Sequence, residues 1–483
     1  MGEIKQQTLS GVKWTAIGRF STQGISFVIG LILARLLSPV DYGVVGMIGI
    51  FIAIAQSFID SGFSSALIRK KDCTDVDYST AFYFNIAVGV VSYGLLYISA
   101  PFIANFFKTP ILKDVVRVVS INLFLNSLTI VQNAKLTIAL DFKSQAKISL
   151  ASTIISGVVG IAFAYKGYGI WALVYQGLIS SLLRVALYWI ITKWKPKFVF
   201  SQRSFKELFS FGGKILTAGL LHTIYTKFIT LVIGKFYTPK DLGFYSRGES
   251  LASLPSMNII GILQSVTYPI LSKLQDDDER LIAVYRKYIG MSSMIIFFGM
   301  CLLASLAKPV ILFLLTDKWT ESIIYLQVFC FALMFDHLCQ LNLNILYVKG
   351  RSDLVLRLEI IKKTISLSMI ICAIPFGVLA ICISSALYSQ IAVYINTFYT
   401  GKLFGLGYIN QIKDFWRYLI GSFVAVVPAY LLTFTTLSHI IVIFIGTLIA
   451  IGIYWFFFRK DKYFNEVLEV VMSKLRSGDN NVS

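Results

Sequence analysis

Ten ionisable side chains fall inside stretches that are otherwise apolar: Arg19, Arg184, Lys214, Lys227, Arg247, Glu249, Asp336, Glu359, Lys362 and Lys363. An ionisable group at membrane depth costs several kcal/mol unless it faces water or a partner, so such groups mark functional sites by default. Arg19, Lys227 and Arg247 are of the type that grips anionic oxygens, and arginine can do so through two parallel hydrogen bonds. Asp336, in mid-span, and Asp60, at a helix end, are of the type that takes up a proton or a sodium ion. Asp336 and its neighbour His337 form either such a relay or a satisfied buried pair.

The residues around the cations have helical spacing. Thr15, Arg19, Thr22 and Ser26 form one polar stripe, with Gln23 beside it, on a helix whose other face is apolar. His222, Thr223, Thr226, Lys227 and Thr230 make a second stripe, and Arg247, Ser250, Asn258, Gly261 and Ser265 a third. A water-filled lumen explains all three; polar contacts that fasten helix to helix are the alternative. Glu249 either stays in the lumen or neutralises Lys227 or Arg247. It stands two residues from Arg247 and so points to another face. Glu359 with Lys362 and Lys363 reads as a self-neutralised helix face, and Arg184 as a side chain that snorkels to the interface.

The elements that must hold these residues are transmembrane helices. The chain has 483 residues, 56% hydrophobic and only 14% charged, whereas a soluble domain carries about 25% charged residues. About fourteen spans of bilayer length are expected: 11–34, 42–61, 79–104, 115–139, 145–165, 169–192, 209–235, 242–268, 288–315, 321–347, 355–375, 378–400, 415–436 and 439–458. Loops are short, the longest breaks being 193–208 and 269–287, and none could house a soluble domain. The polar start "MGEIKQQTLS" lacks a small-residue cleavage site, so the first apolar stretch is expected to remain as an anchor. The net charge of +19 follows the positive-inside pattern and does not point to nucleic acid. With both termini in the cytoplasm, 28 Lys and Arg fall on the cytoplasmic side and 9 on the other. Six cysteines and three histidines offer no metal or redox spacing; no metal or cofactor is expected beyond a coupling proton or sodium ion. On this reading Arg19 lies about 10 Å from the cytoplasmic edge, and Arg247 and Lys227 about 9 and 12 Å from the opposite one.

The chain writes one turn twice. "RLLSPVDYG" (35–43) joins spans one and two, and "KFYTPKDLG" (235–243) joins spans seven and eight. "GIWALVYQGLIS" (169–180) and "GVLAICISSALY" (377–388) likewise open spans six and twelve. The offset of six spans means both copies enter the membrane in the same direction, related by a pseudo-twofold axis along its normal, with substrate sites expected at the repeat interface. In each turn proline fixes the backbone, aspartate caps the next helix and glycine relieves crowding. The expected domains are therefore 1–200 and 201–400, two six-helix bundles; 401–460, two further spans; and 461–483, a cytoplasmic tail in which 463–475 is amphipathic and can lie on the inner leaflet. Pro255 is expected to break span eight, and Gly24 and Gly30 to loosen span one.

This layout resembles the multidrug/oligosaccharidyl-lipid/polysaccharide exporter superfamily, and within it the Wzx-type flippases of the WzxC-like group. "ARLLSPVDYGVVGM" (34–47), "DSGFSSALIRKKD" (60–72) and "GIWALVYQGL" (169–178) carry the likeness, which covers essentially the whole chain. The resemblance implies a bacterial inner-membrane, multi-pass transporter, not an enzyme, that moves an undecaprenyl-diphosphate-linked oligosaccharide from the inner to the outer leaflet by alternating access. The route serves surface polysaccharide or lipopolysaccharide assembly, with membrane lipids and the polymerase or export machinery as partners. It also implies that spans one, two, seven and eight line the cleft, so that Arg19, Lys227 and Arg247 meet the diphosphate. A drug–cation antiporter of the same superfamily would want acidic lumen residues, and here cations prevail. A membrane polymerase or lipid-linked glycosyltransferase would need an elaborate outer acceptor site, and the outer loops are short. A non-transporting scaffold is a third alternative.

Overall fold

Serine and threonine before a proline, with an acid two residues further on, specify where helices start, and such signals recur along the chain. In this computed structural model, which describes residues 2–60, 62–466 and 469 (backbone only at 2–10, 12 and 262), every regular element among the described residues is a helix. Packing divides the chain into two compact units, Met1–Gly243 and Phe244–Ser483, whereas the sequence repeat puts its period at 200 residues.

The first unit holds α1 (Gly2–Leu36), α2 (Pro39–Asp60), α3 (Phe63–Arg69), α4 (Asp75–Phe106), α5 (Leu112–Val119), α6 (Ile121–Ser127), α7 (Ile130–Ile138), α8 (Phe142–Tyr165), α9 (Ile170–Thr192) and α10 (Gln202–Phe236). Here α1 lies along α8, α8 along α9 and α10 along α2. An aromatic and aliphatic knot of Phe63, Leu67, Phe82, Val131 and Leu208 ties α3, α4, α7 and α10 together. The second unit is built from α11 (Pro239–Lys273), whose first residues up to Gly243 still belong to the first unit, α12 (Asp278–Ser305), α13 (Ala307–Leu315), α14 (Ser322–Leu333), α15 (Asp336–Val348), α16 (Ser352–Ala373), α17 (Val378–Phe404), α18 (Tyr408–Leu432) and α19 (His439–Phe458). There α12 packs on α18, α18 on α19 and α16 on α17. Trp319, Tyr285, Tyr418 and Phe297 are fully buried within it.

Twelve stretches among the described residues are long and apolar enough to cross a membrane, and the chain is a multi-pass membrane protein. They match twelve of the fourteen expected spans. Expected spans eight and eleven form as helices α11 and α16 but are not among the twelve; Arg247, Glu249 and Asn258 in the first, and Glu359, Lys362 and Lys363 in the second, dilute their apolar character. Other boundaries differ because polar helical turns carry no hydropathy signal. α10 starts at Gln202 and α11 runs to Lys273, which shortens the expected breaks 193–208 and 269–287. Span four is the three short helices α5, α6 and α7, and span ten is split into α14 and α15 just before Asp336. Pro255 does not break its helix: α11 runs through it, since one lost donor does not end a helix whose other bonds persist.

The repeated turns are duplicate helix starts. Ser38 is followed by Pro39 in the first turn of α2, and Asp41 Oδ2 accepts from the Ser38 backbone N–H at 2.9 Å and from its hydroxyl at 2.7 Å, while Asp41 N–H donates to Ser38 Oγ at 3.3 Å. Thr238 and Asp241 repeat the pattern at 3.0, 2.7 and 3.2 Å before α11. This is a reciprocal capping box, which satisfies two donors that a helix start leaves orphaned. The hydroxyl residue is the cap and the aspartate answers it from inside the helix, a division of labour finer than the sequence reading gave. The second echo is equally physical: Gly169 (φ 54°) and Gly377 (φ 100°) each precede a helix in a conformation that glycine alone adopts easily.

Candidate functional site

α1 crosses α8 at small residues: a Cβ placed on Gly18 would lie 2.6 Å from Ala146 Cβ. That close approach leaves a groove beside it of about 430 Å³, lined by Trp14, Thr15, Arg19, Thr22, Gln23 and, across from them, Phe142, Gln145 and Ser149. The structure thus gathers Thr15, Arg19, Thr22 and Gln23 on one open face, with Arg19 and Thr15 exposed. Ser26, a turn further on, is exposed as well. Thr22 Oγ1 is buried with no hydrogen-bond partner among the described residues, so it can serve a ligand in the groove. Lys143 stands over the Trp14 ring at 5.3 Å and adds a second cation at the same end. Gln145 and Ser149 were not singled out from the sequence; their i, i+4 spacing on α8 was the signal. A neutral polar floor beneath one arginine suits an anionic oxygen that is shared between guanidinium and hydroxyls.

The α2–α10 side of the first unit carries the other expected residues. Ser57 and Thr223 hydroxyls meet at 3.2 Å. Four residues on, Lys227 is exposed, as are His222 and Thr226, the last donating to the Thr223 carbonyl at 3.1 Å. Asp60, at the end of α2, accepts from Gln56 at 2.9 Å; Gln56 accepts from Asn126 at 3.0 Å. The carboxylate is therefore tied into an amide chain that sequence reading missed, because its members lie 70 residues apart.

Within the second unit the guanidinium of Arg247 stands over the ring of Trp319, 5.6 Å from its centre. Trp319 is fully buried, so Arg247 has a cation–π partner. Glu249 is half-buried, two residues along α11. Asn258 donates to the Leu254 carbonyl of its own helix at 2.8 Å, so one of its two amide N–H groups is taken by the backbone. His337 is satisfied without Asp336: its Nδ1–H donates to the Met334 carbonyl at 2.8 Å and its Nε2 meets Ser293 Oγ at 2.9 Å. Lys362 pairs with Glu359, and Lys363 lies 4.0 Å from the same carboxylate, as the spacing predicts. The expected amphipathic tail begins by docking on protein: Asp461 pairs with Arg417 at 2.9 Å and caps Tyr463 N–H at 2.9 Å, and Glu466 pairs with Lys287. Most of the rest of 463–475 lies outside the described residues.

Comparison with known proteins supplies the context. The family described as Polysaccharide biosynthesis protein matches residues 32–324. The chain is 29% identical over 357 residues to the Teichuronic acid biosynthesis protein TuaB of Bacillus subtilis, covering 73% of this chain and 74% of that one. It is 21% identical to the Lipopolysaccharide biosynthesis protein WzxC of Escherichia coli, over 89% and 88% of the two chains, and 25% identical to the Succinoglycan biosynthesis transport protein ExoT of Rhizobium meliloti, over 64% and 63%. Among solved structures, the Lipid II flippase MurJ in an inward closed conformation superposes with a TM-score of 0.72 at 17% identity, over 92% of this chain and 99% of that one. An inward-facing multidrug resistance transporter of the MATE family gives 0.60 at 16% identity, over 79% and 94%. The helical membrane fold is that of these transporters.

Proposed function

Because the chain belongs to the polysaccharide biosynthesis protein family, we propose that it is a flippase that carries an undecaprenyl-diphosphate-linked oligosaccharide from the inner to the outer leaflet of the bacterial inner membrane by alternating access, and that it makes and breaks no covalent bond. Relatives whose names place them in teichuronic acid, succinoglycan and lipopolysaccharide biosynthesis support the substrate class. The observation that carries the reading is Arg19: an exposed guanidinium in a hydroxyl- and amide-lined groove on the polar side of a helix whose other face is apolar. Such a group, in a medium of low dielectric, holds a diphosphate far more firmly than it would in water. Lys227 and Arg247 are the further cations of the same reading, and Arg247 is oriented for the task by Trp319. The polar neighbours Thr15, Thr22, Gln23 and Ser26 would take the remaining phosphate and sugar oxygens.

The reading is tested genetically. Deletion should abolish surface polysaccharide and leave its lipid-linked precursor on the cytoplasmic side, and the wild-type gene should restore export. A deletion strain with unchanged surface polysaccharide would contradict it.

A further inference from the structure

A groove of about 450 Å³ opens in the first unit, at the corner where α4 ends and α5 begins. Asn105, Lys108, Thr109 and Lys113 line it, and among the described residues no carboxylate does. Lys108 and Lys113 are exposed, and neither has a hydrogen bond or ion pair among the described residues. Asp114, next to Lys113, lies about 100° round the helix from it. Arg117, one turn further along α5 on the side of Lys113, adds a third cation. Its guanidinium stands over the Tyr97 ring of α4 at 4.6 Å, and its Nε is buried with no hydrogen-bond partner among the described residues. An aromatic face orients a cation without neutralising it.

An apolar lane leads up to these charges. Val91, Leu95, Ile98 and Phe102 follow one another at helical spacing on α4, each more than half exposed, and Asn105 continues the same face. From Val91 to Phe102 the lane is about 17 Å long at 1.5 Å per residue, close to one leaflet of a hydrocarbon core about 30 Å thick. We propose that this corner binds one anionic phospholipid, with its phosphodiester held by Lys108, Lys113 and Asn105 and an acyl chain laid along Val91, Leu95, Ile98 and Phe102. Charge decides the class. A zwitterionic headgroup carries an ammonium beside its phosphate, which three uncompensated cations repel; an anionic headgroup offers the phosphate alone. Lys235 Nζ donates to the Phe106 carbonyl at 2.7 Å and so joins the end of α10 to the same corner. A lipid seated there steadies α4, α5 and α10 together. On the topology read from charge the corner belongs to the outer face, but the site depends neither on that orientation nor on the flippase reading.

Native mass spectrometry of the purified protein, titrated in detergent with phosphatidylglycerol, phosphatidylcholine or undecaprenyl diphosphate, counts the bound lipid. The wild type should prefer phosphatidylglycerol to phosphatidylcholine. The double variant Lys108→Gln/Lys113→Gln should retain one phosphatidylglycerol fewer. A lysine beside an anionic headgroup is worth about fivefold, so binding at this site should weaken by about 25-fold. Lys108→Arg/Lys113→Arg keeps the charge and should bind as the wild type does. Without lipid the glutamine variant should melt with the wild type, and it should lose most of the rise that phosphatidylglycerol gives. Equal retention of phosphatidylglycerol by wild type and glutamine variant, equal affinity of the wild type for the two phospholipids, or loss of binding in the arginine variant overturns the site. Undecaprenyl diphosphate binding more tightly than phosphatidylglycerol, with the same dependence on the two lysines, overturns the phospholipid as occupant.

Discussion

Gly43 lies against the carbonyl of Pro239: a Cβ on Gly43 would sit 1.6 Å from that oxygen, and reciprocally a Cβ on Gly243 would sit 1.9 Å from the carbonyl oxygen of Pro39. The pairs 39–239 and 43–243 exchange roles at an offset of 200 residues, which is the mark of a local twofold between the two repeated turns. The repeat is thus a contact, and glycine is required in both copies because the opposing atom is backbone and cannot move aside.

Gly43→Ala and Gly243→Ala should each lower stability by about 1–3 kcal/mol, the cost of overpacking. Gly24→Ala and Gly30→Ala have nothing within 4 Å of the added carbon and should be neutral or stabilising by about 1 kcal/mol through helix propensity. Thermal unfolding in detergent separates the two groups. Loss of transport in the Gly24 or Gly30 variant at full stability would assign a hinge to α1.

Ser38→Ala and Thr238→Ala should cost about 1 kcal/mol each, the usual price of a lost N-cap. Asp41→Ala should cost at least as much as Ser38→Ala, because its carboxylate accepts from both the backbone and the hydroxyl of residue 38. A stability series on these variants checks this, and unequal effects of the two cap residues would show that the copies are not energetically alike.

The two arginines part company. Arg19 is exposed in its groove, so Arg19→Ala should reduce transport and leave the unfolding temperature unchanged. Arg247 stands over buried Trp319, so Arg247→Ala should reduce both, with about 1–2 kcal/mol lost from the cation–π contact. Parallel measurement of export and thermal stability distinguishes them; equal stability losses would remove the special status of Arg247.

Gly290 is packed on Tyr463, whose ring would lie 2.8 Å from an added Cβ. Gly290→Val should push the segment Tyr463–Glu466 off α12, and Asp461→Ala should release it by removing both its cap and its partnership with Arg417 and Tyr418. Faster proteolytic cleavage beyond Phe458 in both variants is the expected outcome.

Much of the fold is legible in the sequence because membrane helices are written in hydropathy, and His439–Phe458 appears there to the residue. The paired turns are legible because proline, aspartate and glycine recur at one offset. What is not legible depends on partners distant in the chain. Gln145 and Ser149 complete the Arg19 groove from α8, and Trp319 reaches Arg247 from 72 residues away. The breaks that split spans four and ten are silent, since the residues at them, Ser120, Leu128, Thr129, Met334 and Phe335, include neither proline nor glycine. α11 and α16 carry their charges at the expense of the hydropathy that would announce them.

The central claim is that Arg19 holds the phosphate of a lipid-linked oligosaccharide during transfer between leaflets. The most direct measurement is transfer of undecaprenyl-diphosphate-linked oligosaccharide in vesicles containing purified protein, comparing wild type, Arg19→Lys and Arg19→Ala at equal incorporation. A lost charge-assisted hydrogen bond of about 1.5–3 kcal/mol corresponds to roughly 10- to 100-fold weaker hold. The expected order is wild type above Arg19→Lys above Arg19→Ala, because lysine keeps the charge but loses the two-pronged geometry. Wild-type transfer by Arg19→Ala would contradict the account and reduce this arginine to a fastening between helices.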